Sequence, residues 1–229
     1  MTTTTDQTLG DLVTARPAAA RILERHGLDY CCGGDRPLTE ACDAAGVDVG
    51  DVVADLDELA PGDPEAWAAL PPPGLAADIV ATHHAYLHEE LPLLDALADK
   101  VLRVHGDRHP ELAEVRRLVA ALAADLAPHL LKEERVLFPA IALLAEGHRD
   151  FPFGSIAAPI TMMLAEHDRA GELLAALRAA TGAYRPPADA CASYRSLYER
   201  LDALEADTHL HVHKENNVLF PAVLRLAEA

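Results

Sequence analysis

Residues 129–140, HLLKEERVLFPA, recur as residues 211–222, HVHKENNVLFPA, and each matched position is separated by 82 residues. Each copy opens on a histidine that is followed four residues later by a glutamate, Glu133 in the first copy and Glu215 in the second. On a helix, a four-residue spacing places both side chains on one face. The repeat therefore predicts two helices, each presenting an imidazole and a carboxylate side by side.

An earlier part of the chain repeats as well, because His84 with Leu91 is matched by His167 with Leu174 at an offset of 83 residues. Residues 75–229 are thus two copies of a helix pair. Apolar residues recur at spacings of three and four, and three short segments rich in glycine and proline interrupt them. The sequence predicts an all-α fold in which an up-down four-helix bundle occupies residues 75–229.

The amino-terminal residues 1–60 are predicted to form a small domain of short helices around the glycine-flanked turn YCCGG. Residues 61–74 contain five prolines and are predicted to be a linker, with the three prolines at 71–73 as an extended spacer. Fewer than 60 residues form only a thin core, so we expect this domain to pack on the rest of the chain.

The composition excludes several classes of protein. Acidic residues outnumber basic ones by 37 to 19, for a net charge of −18, which argues against binding to nucleic acid. No apolar run approaches the roughly 20 residues that span a bilayer, and the first residues lack the pattern of a signal peptide. Four cysteines are too few for a disulfide scaffold. The sequence predicts a soluble cytoplasmic protein that binds no membrane.

Six residues selected by the repeat are candidate metal ligands, and they lie on apolar helix faces that are predicted to point into the bundle. Two carboxylates buried without cations would each cost several kcal/mol, and bound divalent metal ions offset that cost. The six candidates are His84, His129, Glu133, His167, His211 and Glu215.

The donor set indicates which metal is bound. Four imidazoles and two carboxylates suit iron, with manganese and zinc as lesser candidates, and six side chains are too many for one tetrahedral zinc ion. Two six-coordinate irons have about twelve positions to fill. The prediction is two non-haem iron ions joined by an oxo or hydroxo bridge, with about one position per iron left for a small diatomic molecule.

Other residues near these candidates also carry possible chemistry. Glu134, Glu166 and Asp168 could accept hydrogen bonds from the ligand imidazoles or could be solvated acids, and the sequence leaves both alternatives open. Adjacent cysteines form only a strained disulfide ring, so Cys31 and Cys32 are expected to be free thiols at a glycine-flanked turn, where they are accessible to a partner or a small molecule. An ordinary turn is the alternative that the sequence leaves open. A role as accessible thiols of low pKa that act as a relay rests mostly on the resemblance described next.

The bundle resembles the hemerythrin-like family. With the motifs LDYCCGG at 28–34 and LAEHDRAGELL at 164–174 and the two VLFP repeats, the chain resembles the RIC family of iron–sulfur cluster repair di-iron proteins. The resemblance implies the same six metal ligands, with Glu133 and Glu215 as bridging carboxylates, and it places the family's paired cysteines at Cys31 and Cys32. Three further histidines near the motifs have no histidine partner at the repeat offset and are not assigned as ligands. They are His83, His209 and His213.

The resemblance also implies a function, the repair of iron–sulfur clusters damaged by nitrosative and oxidative stress, through iron donation, nitric oxide reduction or both. The partners implied are damaged iron–sulfur proteins and the small ligands nitric oxide and oxygen, and a homodimer is compatible with the sequence. The alternative is a non-catalytic sensor or carrier of oxygen or nitric oxide. Whether the protein is an enzyme is left open.

Overall fold

The structure is a computed structural model that describes residues 3–59 and 66–228. Within these ranges every regular element is a helix, and one isolated bridge joins Thr8 and Pro37. The all-α fold class is therefore confirmed. The α-helices are α1 (Leu9–Ala15), α2 (Ala19–Arg25), α3 (Leu38–Ala45), α4 (Val49–Asp57), α5 (Pro72–Ile79), α6 (Ala85–His105), α7 (Glu111–Lys132), α8 (Phe138–Ala145), α9 (Ala157–Ala180), α10 (Ala192–His213) and α11 (Phe220–Glu228).

The chain divides into two compact units. The first unit takes in Met1–Asp78, Ile141–Pro152 and His209–Ala229, and the second takes in Ile79–Ala140 and Phe153–Thr208. This partition differs from the domain boundaries proposed from the sequence, because the carboxy-terminal residues share a unit with the amino-terminal helices. The sequence-based boundaries remain a prediction.

The second unit contains the predicted bundle, which is formed by α6, α7, α9 and the part of α10 before His209. Each of the four helices contributes leucines to one continuous core. Leu94, Leu122, Leu174 and Leu201 are each at most 1% exposed. Burial of a leucine side chain stabilises a fold by about 1.5–3 kcal/mol, so these rows of apolar residues hold the four helices together.

The first unit has a core of its own, built from α1 to α4 and from residues at the end of α10. Thr8 caps α1 by accepting a hydrogen bond from the amide of Asp11, and Asp48 caps α4 through the amide of Gly50. Val212, from the second sequence repeat, is buried among the apolar residues of the short helices. The expectation that these short helices need other parts of the chain to complete their core is thus confirmed.

The linker proposed at 61–74 differs in part from the structure. Residues 61–65 lie outside the described residues, and Ala66–Ala69 form a short 3-10 helix. Pro72 and Pro73 open helix α5, so the expectation of an extended spacer at 71–73 is wrong for these two residues. Proline is favoured in the first turn of a helix because its missing N–H needs no partner there and its φ is already helical.

Three π-helical turns interrupt the long helices, and we name them π1 (Val80–His84), π2 (Glu133–Leu137) and π3 (Lys214–Leu219). Turns π2 and π3 each end two residues before the proline of a VLFP motif. Proline cannot donate to the carbonyl four residues earlier, which favours a locally wider turn at this point of the helix. Three of the six candidate ligands, His84, Glu133 and Glu215, lie in these turns.

No described helix is both long enough and apolar enough to cross a membrane.

Candidate metal centre

The buried carboxylate of Glu133 is surrounded by imidazoles in the second unit. Its Oε2 lies 3.3 Å from Nε2 of His84 and 3.3 Å from Nε2 of His129. Its Oε1 lies 3.9 Å from Nε2 of His167, which is itself 3.2 Å from Nε2 of His129. All four side chains are at most 3% exposed. The structure therefore brings four of the six predicted ligands together in this unit.

The geometry of this group fits a bound metal ion. Two ligand atoms about 2.1 Å from one ion, at right angles to each other, lie about 3 Å apart, close to the separations around Glu133. Both carboxylate oxygens of Glu133 are buried, and neither accepts a hydrogen bond within the described part of the chain. A buried carboxylate without hydrogen bonds is costly, and a cation shared with the facing imidazoles removes that cost.

Two acidic residues orient the imidazoles. Glu134 Oε1 lies 3.0 Å from Nδ1 of His84, and Glu166 Oε2 lies 2.9 Å from Nδ1 of His129. A carboxylate can only accept, so Nδ1 donates in each pair and Nε2 keeps the lone pair that faces Glu133. This carboxylate–histidine arrangement is typical of metal sites. The alternative left open by the sequence is thereby decided for these two glutamates.

Hydrogen bonds favour the ionised form of both orienting glutamates, Glu134 and Glu166. Burial raises the pKa of Glu134, but hydrogen bonds from His88 and His84 outweigh it and hold the pKa below its usual value. Burial likewise opposes ionisation of Glu166, and hydrogen bonds from Lys132 and His129 lower its pKa. The third candidate, Asp168, is exposed and makes no side-chain hydrogen bond to any described residue.

We expect Glu134→Ala and Glu166→Ala each to weaken metal binding by about 10- to 100-fold, because loss of the acceptor frees the ring and the tautomer of the ligand histidine. The measurement is competition for ferrous iron against a colorimetric chelator under argon. Asp168→Ala is the matched control, since it removes an exposed acid beside His167 and is expected to leave affinity unchanged. Equal affinities for all three variants would contradict the orienting role.

The other two predicted ligands, His211 and Glu215, lie in the first unit. His211 Nε2 is 3.3 Å from Glu215 Oε1, and both side chains are at most 2% exposed. The equivalent pair in the first repeat, His129 and Glu133, has the same separation. The four-residue spacing therefore places an imidazole beside a carboxylate in both copies, as the repeat predicts.

The three extra histidines each have other contacts. His83 Nδ1 lies 2.8 Å from Asp207 Oδ1 in the second unit. In the first unit, His209 Nδ1 lies 3.4 Å from Glu24 Oε1. Burial lowers the pKa of His213 to about 4, and its Nε2 lies 3.2 Å from the hydroxyl of Thr14. The repeat gives these three histidines no histidine partner, and each of them contacts a polar side chain within its own unit.

The YCCGG loop is organised by Asp29, which the sequence analysis did not single out. Its Oδ1 accepts hydrogen bonds from the amides of Cys31 and Cys32, and its Oδ2 accepts from the amide of Gly33. Cys31 is only 5% exposed. Contact with the Cys32 thiol, and then burial, raise the pKa of Cys31 well above its usual value. The expectation of an accessible thiol of low pKa is therefore wrong for Cys31.

Asn217 anchors this loop on turn π3. Its Nδ2 donates to the carbonyls of Tyr30 at 3.2 Å and Cys31 at 3.0 Å, and it also lies 3.2 Å from Nδ1 of His213. A Cβ at Gly34 would lie 2.5 Å from Asn217 Oδ1, so glycine is needed there for this close approach. The sequence does indicate a difference between the repeats at this position, because ENN at 215–217 in the second repeat replaces EER at 133–135 in the first.

Asn217→Ala is expected to lower the free energy of unfolding by about 1–3 kcal/mol, since it removes the Asn217 amide that donates to the Tyr30 carbonyl and the shorter of the two side-chain bonds to the Cys31 carbonyl. The control is Arg135→Ala at the matching position of the first repeat, where the side chain is exposed. That change should stay within about 0.5 kcal/mol. Denaturant unfolding of both variants checks the prediction, and equal stabilities would show that Asn217 does not anchor the loop.

Comparison with known proteins agrees with this picture. Residues 75–223 match the hemerythrin HHE cation binding domain, and residues 5–60 match a domain of unknown function, DUF542. The first domain spans the candidate metal ligands from His84 to Glu215. The second contains the YCCGG loop.

Similar proteins match nearly the whole length of the chain. The iron–sulfur cluster repair protein YtfE of Pectobacterium carotovorum subsp. carotovorum (strain PC1) is 35% identical over 222 residues, which cover 96% of this chain and 97% of that protein. Proteins of the same name from Yersinia pseudotuberculosis serotype O:1b (strain IP 31758) and Escherichia coli O157:H7 are 36% and 35% identical, over 96% of this chain and 97% of each relative. The chain therefore belongs to the hemerythrin HHE family and, within it, to the family of the iron–sulfur cluster repair proteins YtfE.

Proposed function

We propose that the chain holds two non-haem iron ions and uses them in the repair of damaged iron–sulfur clusters. The proposed ligands are His84, His129, Glu133, His167, His211 and Glu215. The observation that carries the proposal is the environment of Glu133, a buried carboxylate that faces three imidazole Nε2 atoms and accepts no hydrogen bond from the described residues. The second copy of the repeat adds a matching His–Glu pair.

Iron is the metal that suits this donor set best. Imidazole and carboxylate are ligands of intermediate character, and no thiolate lies among the six proposed side chains. Two glutamates bring two negative charges into a buried site, and the four neutral imidazoles bring none. The family model that matches the bundle is described as cation binding, which supports metal binding but leaves the number of ions to the proposal.

The chain's own residues prepare the site before any metal binds. Glu134 and Glu166 hold the Nδ1 protons of His84 and His129, so the Nε2 atoms are available as ligands. The ring of Phe138 stacks on His84 with centroids 5.6 Å apart and limits its rotation. Bound in this setting, iron would supply reversible redox chemistry and positions for a small molecule such as nitric oxide or oxygen.

The biological role proposed follows from the relatives, which carry the name iron–sulfur cluster repair protein. The partners of this chain would then be iron–sulfur proteins with damaged clusters. Nothing in those names favours the alternative of a sensor or carrier. Ligands buried inside a bundle are out of reach of a large client protein, so we further propose that Cys31 and Cys32 act as a relay between the buried site and the client.

The first test of the proposal is the metal content of the purified protein. The protein purified from iron-replete cells is expected to contain about two irons per chain and to show charge-transfer absorption in the near ultraviolet. Exposure of the reduced protein to nitric oxide under argon, with measurement of nitrous oxide, then separates nitric oxide reduction from iron donation. A preparation with one zinc ion, or with no metal, would contradict the proposal.

A further inference from the structure

The loop that carries the adjacent cysteines contains a second cluster of metal-ligating atoms. Sγ of Cys31 lies 3.2 Å from Oδ1 of Asp29 and 4.0 Å from Sγ of Cys32. All three ligating atoms lie within 4.8 Å of one another. Asp29 is exposed, Cys32 is half-buried and Cys31 is buried, so the cluster lies at the surface of the first unit with one side open.

These separations are those of ligands on one ion. Two thiolates about 2.3 Å from a tetrahedral ion lie about 3.8 Å apart, and an oxygen ligand at about 2.0 Å lies about 3.5 Å from each sulfur. The observed distances of 4.0 and 3.2 Å bracket these values. A disulfide between the two residues, in contrast, would have to bring the sulfurs to about 2 Å within a strained ring.

The backbone around the cluster is already fixed. Asp29 accepts from three successive loop amides, and Asn217 donates to the carbonyls of Tyr30 and Cys31. These bonds involve main-chain atoms of the cysteines and leave both sulfurs available. A loop ordered in advance binds a ligand with a smaller loss of conformational entropy.

Charge also favours a cation here. When both thiols are deprotonated, the three ligands carry three negative charges, which exceed the charge of a divalent ion by one. The guanidinium of Arg36 lies against Gly33, the residue that follows Cys32, so a positive charge is close to the same loop. Thiolate ligands select thiophilic ions such as zinc, ferrous iron and cuprous copper over magnesium and calcium.

We propose that Asp29, Cys31 and Cys32 form a second metal site, which takes one thiophilic divalent cation at the surface of the first unit. Binding replaces the two thiol protons by the metal ion and releases both protons to solvent, with no change of oxidation state. The ion takes the place of the proton that Cys31 shares with Asp29, and a fourth position stays open. The identity of the ion as ferrous iron in transit rests on the function proposed above, whereas the existence of the site does not.

The test uses cobalt(II) as a spectroscopic probe. The iron-loaded, thiol-reduced full-length protein is titrated with cobalt(II) under argon, and sulfur-to-cobalt charge transfer in the near ultraviolet reports on thiolate ligation. We expect about one additional equivalent per chain to bind with this signature. Cys31→Ser/Cys32→Ser should abolish the band, and Asp29→Asn should weaken binding by about tenfold or more. Cys191→Ser, which alters an exposed cysteine outside the loop, should bind like the unmodified protein.

Several results would overturn the inference. They are the absence of a charge-transfer band in the unmodified protein, a band that survives in the double serine variant, or full affinity in Asp29→Asn. Circular dichroism and iron content, measured on each variant, exclude misfolding as the cause of a lost band. Iron content at the histidine and glutamate ligands is read in the same samples, so failure of the proposed function is seen separately from failure of this site. Displacement of cobalt by ferrous iron then tests the identity of the ion.

Discussion

Replacement of Glu133 by glutamine is expected to reduce bound iron from about two per chain to fewer than one, because this carboxylate faces three imidazoles and offsets metal charge. Glutamine preserves the volume of the side chain, so the core around it should remain packed. The measurement is iron per chain by elemental analysis after purification from iron-replete cells.

The same substitution should leave the thermal stability of the metal-free protein unchanged or raise it. The carboxylate of Glu133 is buried and accepts no hydrogen bond within the described ranges, so a neutral amide removes a cost of burial. With chelator present, Glu133→Gln is therefore expected to melt at or above the temperature of the unmodified chain. Glu172→Gln, at an exposed position of α9, is the control and should keep its iron. Full iron retention by Glu133→Gln would exclude Glu133 as a ligand.

The second large effect is a loss of repair activity without a loss of iron when the cysteines of the YCCGG loop are replaced. Cys31→Ala/Cys32→Ala is expected to keep its iron but to lose most of its repair activity, by roughly threefold or more, because the exchangeable thiols are gone. Iron should be retained because Asn217 holds the loop through backbone carbonyls, and Asp29 holds it through backbone amides. Alanine preserves all of these groups.

This prediction is measured as recovery of activity by an enzyme with a damaged iron–sulfur cluster, using variant and unmodified protein matched in iron content. Cys191→Ala controls for the general loss of a thiol. Equal recovery would show that Cys31 and Cys32 form an ordinary turn. Loss of iron in the double variant would show instead that the loop helps to build the histidine and glutamate site.

The sequence was sufficient to predict the bundle and the close approach of candidate ligands within each unit, since both follow from helix periodicity and an internal repeat. The spacing of His129 and Glu133 alone requires that they share a helix face, and the structure places their ligating atoms 3.3 Å apart. The absence of a matching histidine at the repeat offset kept His83 and His213 out of the ligand set. Where two copies of one pattern agree, sequence reasoning is strong.

Contacts made by only one of the two sequence repeats were harder to predict. Asn217 has no counterpart of its own type in the first repeat, and its bonds to the loop span 186 and 187 positions of sequence. The raised pKa of Cys31 arises from Cys32 and from burial by distant parts of the chain, which adjacency in sequence does not reveal. Likewise, the run of prolines around Pro72 predicts a spacer by composition. In the structure Pro72 opens helix α5, because the first turn of a helix accommodates proline without loss of a hydrogen bond.

Repair of iron–sulfur clusters by iron held on the proposed histidine and glutamate ligands can be measured in a single reactivation assay. A dehydratase whose four-iron cluster has been damaged by nitric oxide is incubated, under argon and with a reductant, with the iron-loaded protein or with its Glu133→Ala/Glu215→Ala variant. We expect recovery of dehydratase activity with the unmodified protein, and recovery no greater than that with buffer for the variant. Equal recovery with both proteins, from a variant shown to be folded and free of iron, would contradict this expectation.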